Sequence, residues 1–300
     1  MRTAKEVPSS QVFRMFREYA DSSGDSVTKL MTDIQEIAKS FRALDALWDW
    51  TPEGTFLARW RAMDAGVSTP VVLWLLSNRA AIGTDGVHRA LGAVESYFAR
   101  RMICRMTTKD YSRLFLDLIP RLARSLDEGS ASVVVDFLAE QTSESRSWPS
   151  DSQVREAILE LPLYQLLTRG RLRMLLEGIE DKLRSPKTED AHVARGLTIE
   201  HVMPQAWRTY WPLHESDDPA APEKRDRILH TLGNLTLLTA NLNPGLSNGP
   251  WSEKKAGLDE FSVLELKKSI TGSPFWNEAT IRARGALLAD HLIGLWPRPA

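Results

Sequence analysis

The stretch LTIEHVMPQ, residues 197–205, sets a carboxylate and an imidazole side by side at Glu200 and His201, with Pro204 three residues beyond the histidine. A neutral imidazole takes a proton from water near pH 7, and a carboxylate is a hard oxygen ligand for a divalent cation. On a regular strand, neighbouring side chains face opposite ways, so the two converge only if the strand ends there. Pro204, which lacks a ladder donor and biases the residue before it away from helix, is read as that ending. Taken alone, the pair also fits a core histidine bonded to a carbonyl beside a salt-bridged glutamate.

Two asparagine-rich segments follow: LGNLTLL, containing Asn234, and NLNPGLSNGPWSEKK, containing Asn241, Asn243, Asn248 and the pair Lys254-Lys255. Strands carrying His201 and Asn234, followed by a loop that delivers Asn248 and then a helix, bring imidazole, amide and carboxylate into one cleft. Phosphodiester hydrolysis uses such a set, with His201 activating water and one divalent cation, ligated by Glu200, neutralising charge on the phosphorane and the departing 3′ oxygen. Oxygen donors point to Mg2+ or Mn2+, and the absence of thiolates argues against zinc. His192, His214 and His230 have no such company and read as ordinary surface or core residues. Asn234 after Gly233 and Asn243 before Pro244 also have a plain reading as turn residues.

These residues need elements to hold them. Val12, Phe13, Phe16 and Tyr19 keep helical spacing, and Leu30, Ile34, Ile37, Phe41 and Leu44 repeat it, running into Leu47 and Trp48 before Pro52. Further helices are expected over 55–65, 70–81, 85–106, 108–124, 130–140, 151–161 and 163–183. After Ser185-Pro186-Lys187 the texture changes. Leu197–Ile199 and Gly233–Thr239 read as short strands, with helices from Trp251 to Phe261 and from about Asn277 to Trp296. The expectation is a mainly α protein, with a helical domain over 1–190 and a small α+β domain over 191–300.

The chain has 300 residues, 43% hydrophobic and 26% charged, which suits a soluble globular protein. With 38 basic and 39 acidic residues it lacks the broad basic surface of many non-specific nucleic-acid binders. A small groove with a local basic patch is still compatible with DNA. The longest apolar run, VVLWLL at 71–76, falls far short of the roughly 20 residues of a membrane span, and the N-terminus has no signal-peptide stretch. The single cysteine, Cys104, excludes a disulfide framework and reads as buried packing; a cytoplasmic location is expected. Arg100-Arg101 is read as buried against acidic partners rather than as a DNA contact.

The motifs IEHVMPQ, LGNLTLLTANLNPGLSNGPWSEKK and FWNEATIRARGALLADHLIGLWP resemble the C-terminal HNH-type nuclease domain of GmrSD-like modification-dependent restriction proteins. The same domain occurs in SspE-type proteins that sense phosphorothioated DNA. ESYFARRMICRMTTKDYSRLF and LPLYQLLTRGRLRMLLEGIEDKL resemble the helical region that precedes it, so the resemblance spans most of residues 85–296. It implies a ββα-metal nuclease fold in which His201 is the general base, Asn234 orients it, and Asn248, or else Asn243, helps Glu200 hold the metal. Lys254 or Lys255 would contact phosphate as a point charge. Arg282 and Arg284 would either pair with a phosphate or brace the cleft. The implied partner is duplex DNA, as in phage defence, cut by nicking or by double-strand cleavage.

Relatives of this kind begin with a nucleotide-hydrolysing sensor domain, and the sequence shows no phosphate-binding glycine loop. A C-terminal fragment or split partner is therefore expected, in which the helical region positions DNA or connects the sensor to the nuclease. The alternative is a helical interaction scaffold with an inactive nuclease-like tail. RNA as substrate ranks last, since neither RNP aromatics nor a GxxG loop is present. Trp207, Trp211, Trp251, Trp276 and Trp296 sit beside apolar helix positions and read as packing residues.

Overall fold

The computed structural model describes residues 7–46, 50–127, 129–184, 195–213, 218–238 and 248–299. They fall into two compact units, Met1–Trp148 with Arg298–Ala300, and Pro149–Pro297. The described residues are mainly helical, with a small two-stranded sheet.

The first unit contains helices α1 (Val12–Ser23), α2 (Val27–Ala46), α3 (Pro52–Ala62), α4 (Thr69–Ser77), α5 (Arg79–Ile82), α6 (Thr84–Ile103), α7 (Tyr111–Arg124) and α8 (Ser130–Ala139). Helix α3 starts earlier than the apolar spacing suggested, because the Thr51 side chain caps it and Pro52 fits the first turn. Helix α6 ends at Ile103, short of Met106, and Arg105 just beyond it has a left-handed φ of 57° that cannot continue a helix. Leu114, Leu118 and Leu122 repeat every four residues on α7 and are all buried. On α2 the stripe is split: Leu30 and Leu44 are buried, whereas Ile34, Ile37 and Phe41 are exposed.

Arg101 is buried, and its guanidinium donates to the carbonyls of Ser147, Thr107 and Ser145 at 2.5, 2.6 and 2.9 Å and to the Tyr111 hydroxyl at 3.1 Å. Its partners are thus carbonyls and a hydroxyl, not the acids expected. Cys104 is half-buried rather than part of the core.

The second unit opens with α9 (Asp151–Glu160), whose first turn is closed by a reciprocal cap between Ser150 and Gln153. The helix expected over 163–183 is divided into α10 (Leu163–Leu166) and α11 (Arg169–Leu183), because extended Leu167 breaks it and the Thr168 side chain caps the new start. Then come β1 (Thr198–His201), α12 (Ala221–Ile228), β2 (Leu235–Leu238), α13 (Trp251–Phe261), α14 (Lys268–Thr271) and α15 (Glu278–Leu295). Sequence spacing did not reveal α12 or α14. The compact division precedes the change of texture near residue 190 because α9 and α11 pack with the sheet and the last helix.

Strands β1 and β2 are antiparallel, with His201 opposite Leu235 and Glu200 opposite Thr236. Every residue of β2 is buried. The turn before β2 is pressed against α15: a Cβ on Gly233 would lie 2.1 Å from the carbonyl oxygen of Ile281 and 3.0 Å from the amide nitrogen of Gly285. Only glycine permits that approach. The core below the sheet includes Val202, Met203, Trp207, Trp211, Ile228, Leu258 and Trp276.

Candidate functional site

His201 is the last residue of β1 and is 6% exposed. Its ring centroid lies 4.2 Å from that of Tyr164, edge to face. Its Nε2 is 3.3 Å from Nδ1 of His230, and its Nδ1 is 3.5 Å from the amide nitrogen of Gln205. Burial, with the neighbouring His230, Lys254 and Arg169, pushes the imidazole pKa down to about 3, so the ring is neutral at ordinary pH. His230, only partly buried, is lowered by burial and by Arg169, against the opposing pull of Asp226.

The backbone around these rings is tied to α10, since Tyr164 N–H donates to the His230 carbonyl at 3.0 Å. Arg169, at the start of α11, sits over the Tyr164 ring, its guanidinium carbon 3.4 Å from the centroid, and it also donates to the Tyr164 carbonyl. The side chain is exposed, and no carboxylate pairs with it among the described residues. The sequence marks His230 only as an ordinary surface or core residue and carries no signal that joins Arg169 to it. The segment YQLLTRGR near 164–171 shows no pattern that ties it to a strand thirty residues later.

Glu200 and His201 have different partners, as alternation along a strand dictates. The Glu200 carboxylate accepts from Lys254 Nζ at 2.7 Å, and the same ammonium donates to the His201 carbonyl at 2.5 Å. Lys254 comes from α13 and is 3% exposed; burial lowers its pKa while Glu200 opposes that shift. The residue considered for phosphate contact is therefore buried at the end of β1. Lys255 is half-buried and donates to the Ser273 carbonyl at 3.2 Å.

Asn234 is fully buried. Its Oδ1 accepts from Met203 N–H at 2.8 Å and from the Trp276 indole at 3.1 Å, and its Nδ2 donates to the carbonyls of Met203 and Leu229 at 2.9 and 3.0 Å. These four bonds use the whole capacity of the amide. It fixes the backbone that follows His201, and no described hydrogen bond joins it to the ring. Arg284 is likewise buried and donates to the carbonyls of Gly233 and Leu235, both at 2.8 Å, and to Ser269 Oγ at 2.9 Å. It braces the turn that carries Asn234, and burial lowers its pKa to about 9, so the charge persists at neutral pH. Arg282 is exposed and pairs with Glu160 at 2.5 Å.

Asn248 is exposed, next to Gly249, whose carbonyl accepts the Trp211 indole N–H at 3.1 Å. Asn241, Asn243, His192 and His214 lie outside the described residues. Among the described residues no three His, Cys, Asp or Glu side chains converge as cation ligands, and Glu200 is already engaged by Lys254. The indole N–H groups of Trp207, Trp211, Trp251 and Trp276 are all satisfied within the protein. Among the described residues no helix is long and apolar enough to cross a membrane.

Residues 148–291 match the family model described as GmrSD restriction endonucleases, C-terminal domain. This part of the chain therefore resembles a GmrSD-like C-terminal region, from a family of restriction endonucleases. No curated protein matches the chain.

Proposed function

We propose that the Pro149–Pro297 unit is an HNH-type endonuclease that hydrolyses phosphodiester bonds of duplex DNA in a restriction or phage-defence system, with His201 as general base. Water loses a proton to the imidazole, its oxygen bonds to phosphorus, and the bond from phosphorus to the 3′ oxygen breaks, the departing alkoxide taking a proton from solvent to become a hydroxyl. The observation that carries the reading is the position of His201 at the end of β1, inside a segment that matches a restriction-endonuclease family. The order of two antiparallel strands and then α13, with Lys254 reaching back to the end of β1, supports the ββα reading. Arg169 is an exposed cation whose charge acts on both histidine rings, and it suits a substrate phosphate.

Dependence on Mg2+ or Mn2+ belongs to this proposal through the family resemblance. The proton transfer at His201 is described without it. An N-terminal nucleotide-hydrolysing sensor and recognition of modified, for example phosphorothioated, DNA are proposed on the same ground. So is action in the cytoplasm.

The competing reading, an inactive nuclease-like scaffold, draws on one observation: His201 is only 6% exposed. Relaxation of supercoiled plasmid by wild type and H201A, with Mg2+ or Mn2+ and with chelator, separates the two. The expected result is cation-dependent cutting by wild type alone, with an unchanged circular-dichroism spectrum for the variant. Equal cutting by H201A overturns the role of the base, and no cutting by either protein favours the scaffold.

A further inference from the structure

We propose that His230 is the positioning residue of the site, holding the His201 ring in the tautomer that leaves Nδ1 free to accept a proton. The inference rests on the nuclease reading above and adds to it a residue that the resemblance did not supply. Both nitrogens of His201 have a neighbour, and the two are unequal. The Gln205 amide nitrogen can only donate, so at 3.5 Å it faces a lone pair on Nδ1. Nε2 then carries the hydrogen and donates it to His230 Nδ1 at 3.3 Å. A base oriented by a third group through its second nitrogen is the usual arrangement for an activated nucleophile.

His230 is itself held in place. Its carbonyl accepts from Tyr164 N–H at 3.0 Å, its N–H donates to the Arg227 carbonyl at 3.2 Å, and its ring stacks on Tyr164 with centroids 5.7 Å apart. The charged groups acting on the two rings are Asp226 from α12, Arg169 from α11 and Lys254 from α13. The contact to Gln205, at the limit of a hydrogen bond, is the one that yields to water.

The test compares wild type, H230A and H230N by long-range 1H–15N correlation of the His201 ring and by cleavage kinetics. H230N places an amide oxygen near the position of the lost nitrogen. Expected are a single Nε2-protonated tautomer in wild type and H230N, a mixture in H230A, and a kcat for H230A lower by roughly 100-fold or more with KM little changed. If H230A does not fold, H230F provides the comparison without an acceptor. An unchanged His201 tautomer or an unchanged kcat in the variant lacking the acceptor overturns the inference. The tautomer measurement needs no cleavage, so it stands even if H201A shows that the nuclease reading fails.

Discussion

Lys254 and Glu200 form a 2.7 Å ion pair where α13 meets the end of β1, with side-chain exposures of 4% and 19%. Removing one member of such a pair leaves a charge buried without its counterpart, which costs roughly 3–5 kcal/mol. K254M and E200Q are each expected to unfold at much lower urea than wild type. The double variant should recover part of the loss. A double-mutant cycle by urea denaturation measures this, and additive losses would show that the two side chains act independently.

The neutral His201 ring has a consequence for acid stability. Its ordinary pKa is 6.5 and the folded value is about 3, so between those values the unfolded chain binds a proton that the folded chain refuses. Stability contributed by the buried ring is complete above about pH 6.5 and falls as the pH drops toward 3, by up to about 1.4 kcal/mol per pH unit. His230 shifts in the same direction. Urea midpoints at neutral and mildly acid pH should therefore diverge more for wild type than for H201Q. Identical pH dependence in the two proteins is the outcome that excludes this account.

Asn234 is expected to matter to stability before chemistry. In N234A, the Met203 N–H, the Trp276 indole and two carbonyls lose their partners, and a buried group left unsatisfied costs about 1–3 kcal/mol. The variant should melt well below wild type and show altered Trp276 fluorescence. If N234A keeps the wild-type melting temperature but stops cutting, the amide acts on the chemistry directly.

Arg169 offers a prediction about affinity. With its guanidinium pre-set over Tyr164, R169A should bind a short fluorescent DNA duplex more weakly, and the slope of log affinity against log salt should shrink by about 0.9 for the lost phosphate contact. Anisotropy across a salt series reads both quantities. An unchanged slope places the phosphate elsewhere.

Much of this architecture was legible in the sequence. Helix α13 runs over the residues expected, and α15 begins after Asn277, whose side chain forms a reciprocal cap with Thr280. The strands were found from short apolar runs bounded by turn residues, and one of them delivers His201 at its end. What stayed hidden depends on tertiary placement. Arg282 and Arg284 are two residues apart on one helix, yet the first is exposed against Glu160 and the second is sealed against backbone carbonyls. Lys254 and Lys255 are adjacent, yet one is buried in an ion pair. No local spacing encodes the meeting of Tyr164, His201 and His230.

The approach of Gly233 to Ile281 and Gly285 bears on how this unit could change over generations. With no space for even one methyl group between the turn and the last helix, that helix cannot be shifted or re-angled at the contact without displacing the neighbours of the proposed base. Variation in what is cut is therefore expected to collect in peripheral loops, while the joint between turn and helix is inherited unchanged.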